Sequence, residues 1–360
     1  MFLAVAILVT CGCTNSPYPE EDDGKKVLYA PFLEPPKTLD PAVGYSTADH
    51  DITENIYDTL LEYHYVKRPF ELVGGMAEEV PEPKILDDGR VEYVFRIRPD
   101  LLFQDDPCFA LSGGKTRRVT AEDFVFELRR LADPLVGSPV VDPMSQLTGF
   151  ADFGAKLKQT REKDAKFARK SAREQYAALG GFDGAVATSE HELRIRIDRP
   201  SPQILYWFAM TFTTAMPWEE VQFYDGRDGR PDLSEHAVGA GPFVLVKYEK
   251  RSRIVLDKNP NWYGVRHPEW KAPGAVFPST DVPTDLSPAT LASFAASSGR
   301  ALPLLDRVDY RREEEIIPAF SKFLQGYYDL SAVARESFSK VVHEGALSNE
   351  MRAQGMRLEK

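Results

Sequence analysis

The sequence predicts a protein of mixed helices and strands with room for two or three lobes, on three observations. The chain has 360 residues, and domains usually hold roughly 100–200. Apolar residues alternate with polar ones at Val91, Tyr93, Phe95 and Ile97, and again at Leu193, Ile195 and Ile197, which is the period of a half-buried strand. Around these runs, apolar residues recur with helical spacing after Thr47 and after Thr120.

The elements follow in order. Val27-Leu28-Tyr29-Ala30 is a short strand-type run, and the prolines of Glu34 to Pro41 disfavour regular structure after it. From Thr47 a helix places Ile52, Ile56, Leu60 and Leu61 on one face, with Asp49 and Asp51 in its first turn. Thr120-Ala-Glu-Asp123 resembles a capping box, and Phe124, Leu128 and Leu131 share the face that follows. Gly239 and Gly241 are expected to allow a tight, positive-φ approach to a strand beginning at Phe243, with Pro242 stiffening it. Asn259-Pro260-Asn261 reads as a turn that Trp262 and Tyr263 anchor into a core. No internal repeat interrupts this order.

Lys156 to Arg173 departs from that texture, with eight Lys or Arg against Glu162 and Asp164. A nucleic-acid or anionic-membrane contact is one reading. The simpler one is a solvated surface helix tacked down by Phe167 and Tyr176, since no aromatics interleave the charges. Overall the chain carries −11, without the basic excess that displaces counterions from phosphates, so a nucleic-acid partner is not expected.

Met1 to Gly12 is uncharged and almost wholly apolar, too short to span a bilayer and similar to the h-region of a signal peptide. It ends in Thr10-Cys11-Gly12-Cys13, which resembles a bacterial lipobox, and Cys13 after the small Gly12 is the expected acylated residue. A plain cleaved signal with incidental cysteines is the alternative. Thr14 to Lys26 is polar and acidic, the composition of a tether. Cys108 then stands alone, so no internal disulfide is expected, and its thiol reads as structural.

Catalytic signatures are sparse. There is no His-Glu-x-x-His or Gly-x-Ser-x-Gly, and Ser112-Gly-Gly-Lys-Thr116 has Phe109 where a phosphate loop needs glycine. The six histidines lack metal-ligand spacing, and Glu313-Glu-Glu315 reads as a solvated helix start. Neither an enzyme nor a metal or cofactor site is expected.

Four stretches, spread in order over residues 38 to 330, resemble the extracellular solute-binding proteins of the oligopeptide and dipeptide type (family 5) of bacterial ABC importers. They are Thr38-Leu-Asp-Pro41 with Tyr57-Asp-Thr-Leu-Leu-Glu62; Tyr93 to Asp100 with Val119 to Phe124 and Arg130 to Pro134; Val238-Gly-Ala-Gly-Pro-Phe243 with Asn259-Pro-Asn-Trp-Tyr263; and, more loosely, Asp306 to Val308 with Phe323 to Gly326 and Tyr328-Asp329. The resemblance implies an α/β, two-lobed periplasmic-binding-protein-like fold (type II) with an extra subdomain and, within these 360 residues, an incomplete second lobe. After a signal peptide (1–12) and tether (13–26), it implies a first lobe from 27–45 and 184–265 and an extra subdomain from 46–183. An insertion or linker (266–299) and the start of the second lobe (300–360) follow. Family members continue well past this length, so the sequence is expected to be a fragment.

The resemblance also implies capture of short peptides or other small solutes for membrane permease subunits, at the periplasm or cell surface. Its solute-facing positions fall on Tyr45, Ser46 and Thr47 and on Val140, where relatives often carry an aromatic. Thr47 is explained equally well as a helix N-cap. Nickel chelates, haem and sugars remain alternative ligands. A ligand-sensing receptor of the same fold and an exported hydrolase remain alternative functions.

Overall fold

The computed structural model describes residues 18–226, 229–279, 288–343 and 345–358. The expected signal peptide and Cys13 lie outside them.

Strand β1 (Val27–Phe32) is followed by the proline-rich stretch, helix α1 (Thr47–Ile56), the hairpin β2 (Leu61–Tyr63) and β3 (Leu72–Gly74), and strands β4 (Lys84–Ile85) and β5 (Val91–Arg96). Next come helices α2 (Ala121–Ala132), α3 (Val141–Met144), α4 (Phe150–Lys163), α5 (Ala165–Ala168) and α6 (Ala172–Leu179), then strands β6 (Ala185–Ser189) and β7 (Glu192–Ile197). Short helices α7 (Ile204–Trp207) and α8 (Trp218–Phe223) lead to β8 (Phe243–Glu249) and β9 (Arg253–Lys258). Helices α9 (Tyr263–Arg266) and α10 (Pro288–Ser297) precede β10 (Arg307–Arg312) and α11 (Ile316–Leu324).

Two four-stranded sheets organise the chain. One has the order β1-β10-β9-β8, with β1 parallel to β10 (Val27 beside Arg307) and the other pairs antiparallel. Ile52 and Ile56 of α1 join Ile254, Leu256 and Val308 in the core on this sheet. The other has the order β4-β5-β7-β6 and is antiparallel throughout, with Val91 opposite Ile197 and Phe95 opposite Leu193. Helix α2 lies over it and sends Phe124, Leu128 and Leu131 into the larger core, at the spacing its sequence shows.

The sheet pairing runs across the lobe boundaries that the resemblance implies. Residues 185–197, expected in the first lobe, complete the sheet that β5 belongs to. Helix α1, expected in the extra subdomain, packs on the other sheet. Strand β10, expected at the start of a second lobe, pairs with β1 and β9. The strands so paired lie up to 280 residues apart, Val27 beside Arg307, a relation that alternation along one strand does not encode.

The glycine pair is corrected too. Neither Gly239 nor Gly241 has a positive φ. Glycine is required there by proximity: a Cβ on Gly239 would stand 1.9 Å from the Ile56 carbonyl oxygen, and one on Gly241 2.6 Å from it. The Gly241 amide donates to that same oxygen at 2.8 Å. Asn259 donates from Nδ2 to the Gly241 carbonyl, and Trp262 Nε1 donates to Asp58, each at 2.8 Å. The two most specific sequence signatures therefore interlock on the C-terminal end of α1. Cys108 is fully buried, as a structural thiol should be. Glu313 is buried as well, accepting from Tyr328 and from Lys322 Nζ, so it is not the solvated residue expected.

Candidate ligand-binding site

The Leu-Asp-Pro turn is fixed from within. Asp40 of that turn accepts from Arg130 Nη2 at 2.6 Å, while Arg130 Nη1 donates to Glu127 at 2.8 Å. The Arg130 and Glu127 side chains are buried and Asp40 nearly so, so the loop leading to Tyr45 is tied to α2 through a desolvated charge triad.

The next fixed point is Asp49, 2% exposed. Its Oδ1 accepts from the amides of Lys37 and Thr38, and its Oδ2 from those of Tyr45 and Ser46, at 2.6–3.3 Å. Ser46 Oγ accepts in return from the Asp49 amide at 3.2 Å, completing a capping box. Burial pushes the Asp49 carboxyl up, but the hydrogen bonds from Ser46, Lys37 and Thr38 outweigh it and hold the group below its ordinary range. One carboxylate thus gathers both ends of the loop from residue 37 to residue 46.

The loop presents Tyr45, whose side chain is 67% exposed. Its ring centroid lies 6.2 Å from that of Phe212, and His50 meets the same Phe212 ring edge-on at 5.7 Å. Thr211 Oγ1 lies 3.4 Å from His50 Nδ1, and Glu54 lies 3.8 Å from that nitrogen. On the opposite flank of α1, Thr47, Asp51, Phe32, Glu34, Ile254 and Tyr310 line a cavity of about 400 Å³. Burial raises the carboxyls of both Asp51 and Glu54, with His50 opposing. Aromatic, imidazole and carboxyl groups thus flank α1, and such polar and aromatic side chains can pair with a polar, amide-rich solute.

Of the positions expected from the sequence, Tyr45, Ser46 and Thr47 come together here. Ser46, not Thr47, is the N-cap, and Thr47 is the first helical residue. Val140 does not join them. It is 1% exposed and packed in the larger core. His50, Thr211 and Phe212 were missed. His50 follows from its place one turn into α1, whereas Phe212 is brought in from 160 residues away with no local signal. Among the described residues no group of three His, Cys, Asp or Glu is placed to hold a metal ion.

Comparison with known proteins identifies the family. Residues 71–349 match the model of the bacterial extracellular solute-binding proteins, family 5, middle region. The chain belongs to that family. It is 26% identical over 230 residues to Di/tripeptide-binding protein 4 of Pseudomonas aeruginosa, an alignment covering 62% of this chain and 36% of that one. It is 24% identical over 240 residues to the periplasmic murein peptide-binding protein MppA of Escherichia coli, covering 66% and 37%. Its fold matches the solved structure of Listeria monocytogenes OppA bound to peptide with a TM-score of 0.60 at 15% identity, covering 88% of this chain and 48% of that one. The chain thus spans about a third to a half of the length of the relatives it matches.

Proposed function

We propose that the whole protein captures short peptides, or peptide-like solutes, in an interlobe cleft and delivers them to the permease subunits of an ABC importer. The observation carrying this reading is the family match over residues 71–349, joined to relatives whose names record di/tripeptides and murein peptide as ligands. The preorganised Tyr45–Thr47 loop supports it: a surface held rigid before binding loses less on ordering a solute. The protein acts by binding and performs no chemistry on its ligand. One wall of the cleft is the face of α1 around Tyr45, Thr47 and His50, and the remaining contacts come from a second lobe. Affinity rests on pairing the peptide's backbone N–H and C=O groups, with side chains left in roomy, wet pockets.

Calorimetric titration of the whole protein tests the ligand class, using a pool of short peptides, a sugar panel, a nickel chelate and haem. Saturable heat from several peptides with modest sequence preference is the expected result. Binding of only a sugar, the chelate or haem would overturn the peptide assignment while leaving the family intact.

Localisation belongs to the same reading. The protein stands at the periplasm or cell surface, held to a membrane by acylation of Cys13. Replacing Cys11 and Cys13 together with Ala is expected to move it from the membrane to the soluble fraction. Unchanged membrane retention of that variant in high salt would contradict the lipid anchor.

A further inference from the structure

The basic stretch that the sequence singles out is not used by the solute site. The structure shows why it is unlike the rest of the surface. Of its eight cations, one is drawn inward: Arg161 of α4 pairs with Asp133 through both terminal nitrogens, at 2.5 and 2.6 Å. The others stay exposed. Lys163, Lys166, Arg169, Lys170 and Arg173 crowd the corner where α4 passes through α5 into α6, and none of these five forms an ion pair within 4.0 Å among the described residues. Arg173 lies flat over Trp218, 3.7 Å from the ring centroid.

Of the three carboxylates at this corner, Glu162 is exposed and the other two are held by local capping bonds. Asp164 caps α5, accepting from the amides of Lys166 and Phe167 at 2.8 and 3.1 Å. Glu174 closes the capping box of α6, accepting from the Ser171 amide and hydroxyl at 2.9 and 2.8 Å. Phe167 and Tyr176 are buried beneath, so the cations ride on an ordered helical base. With eight cations against Glu162 and Asp164, residues 156–173 carry +6 in a chain whose total is −11.

An exposed apolar side chain stands on a turn tied to the same helices. Leu135, at 77%, has the highest exposure of any large hydrophobic residue described. It sits in the turn after α2, where its amide donates to Asp133 Oδ1 at 2.9 Å. Asp133 is the carboxylate that Arg161 of α4 grips, and Tyr176 of α6 donates to it at 2.8 Å. The turn that projects Leu135 is therefore pinned to both helices that carry the basic corner. A protruding leucine tied to the helices that carry a cluster of unpaired cations is the combination that holds proteins at the interface of anionic bilayers.

We propose that the α4–α6 corner, with Leu135, docks on an anionic phospholipid surface and so orients the protein against its membrane. The remaining chain, strongly negative, is repelled from the same surface, which makes the contact directional. The long aliphatic stems of the lysines let their ammonium groups reach headgroups while Leu135 enters the acyl boundary.

The test is flotation with vesicles of phosphatidylcholine alone and of phosphatidylcholine mixed with phosphatidylglycerol. The protein tested carries the substitutions Cys11→Ser and Cys13→Ser, so no acyl chain contributes. Binding is expected to the anionic vesicles only, and to collapse as salt shortens the screening length from about 10 Å at 0.1 M to about 3 Å at 1 M. Replacing Lys163, Lys166 and Lys170 together with Ala is expected to lower partitioning about 100-fold, each cation contributing about 1 kcal/mol near such a surface. Leu135→Ser is expected to lower it about tenfold at fixed salt, with an unchanged thermal midpoint confirming that the fold is intact. Equal partitioning to both vesicle types, no binding at low salt, or an unaffected triple variant overturns the proposal. Binding to soluble poly-glutamate as tightly as to anionic vesicles overturns it in favour of an acidic protein partner.

Discussion

Gly239→Ala is expected to destabilise the protein by about 3 kcal/mol or more, well beyond an ordinary surface substitution. The added carbon would sit 1.9 Å from the Ile56 carbonyl oxygen, a backbone atom that cannot swing aside as a side-chain tip can. Relief requires moving either the C-terminal end of α1 or the strand approach at Val238–Phe243. The Gly239 backbone is fixed as well: Gln104 donates its amide to the Gly239 carbonyl at 2.9 Å, and Gln104 Oε1 accepts from the Gly239 amide at 3.3 Å. Denaturant titration of the variant measures the loss. A midpoint within experimental error of the parent would show that the junction between α1 and the glycine pair is looser than described.

Arg130→Ala is expected to cost about 3–5 kcal/mol, the loss that follows when one partner of a buried ion network is removed. Asp40 and Glu127 would be left facing each other without their cation, and Glu127 Oε1 already has no hydrogen-bond partner. The pH dependence carries a sign. Burial pushes the Glu127 carboxyl up to about 7, with Arg130 opposing and Asp40 adding to the rise. A carboxyl raised in the folded state favours folding most below its unfolded value, and that contribution is lost as pH rises through the folded value. Without Arg130 the rise is larger still. The variant should therefore suffer less at pH 5, where Glu127 carries its proton, than at pH 8. Thermal midpoints at the two pH values decide it, and an equal loss at both would contradict the buried triad.

Much of this fold is written in local pattern. The alternation at 91–97 and 193–197 produces β5 and β7, and Thr120 with Asp123 starts α2 by the reciprocal cap its spacing implies. Trp262 and Tyr263 are buried at the turn they were expected to anchor. What the pattern does not carry is partnership. A strand's period says that one face is buried but not which strand lies beside it. For the same reason the sequence does not show that the constraint on Gly239 and Gly241 is the Ile56 carbonyl at the end of α1.

The site divides along the same line. Tyr45, Ser46 and Thr47 were legible because they are consecutive on one loop, and the Ser46–Asp49 spacing offered the capping box that fixes it. Phe212 and Thr211 were not legible, since only the packing of the segment after α7 against α1 brings them to His50. Val140 was carried over from a position that in relatives is often aromatic. Here a smaller aliphatic side chain turns into the core instead.

The most direct test of the account is hydrogen exchange of the whole protein with and without saturating short peptide. Peptide capture against the face of α1 is expected to slow exchange over residues 44–54 and at Thr211 and Phe212, while the α4–α6 corner at 156–173 exchanges as before. Peptide binding that leaves residues 44–54 and 211–212 unprotected would contradict the placement of the solute on the loop that Asp49 holds.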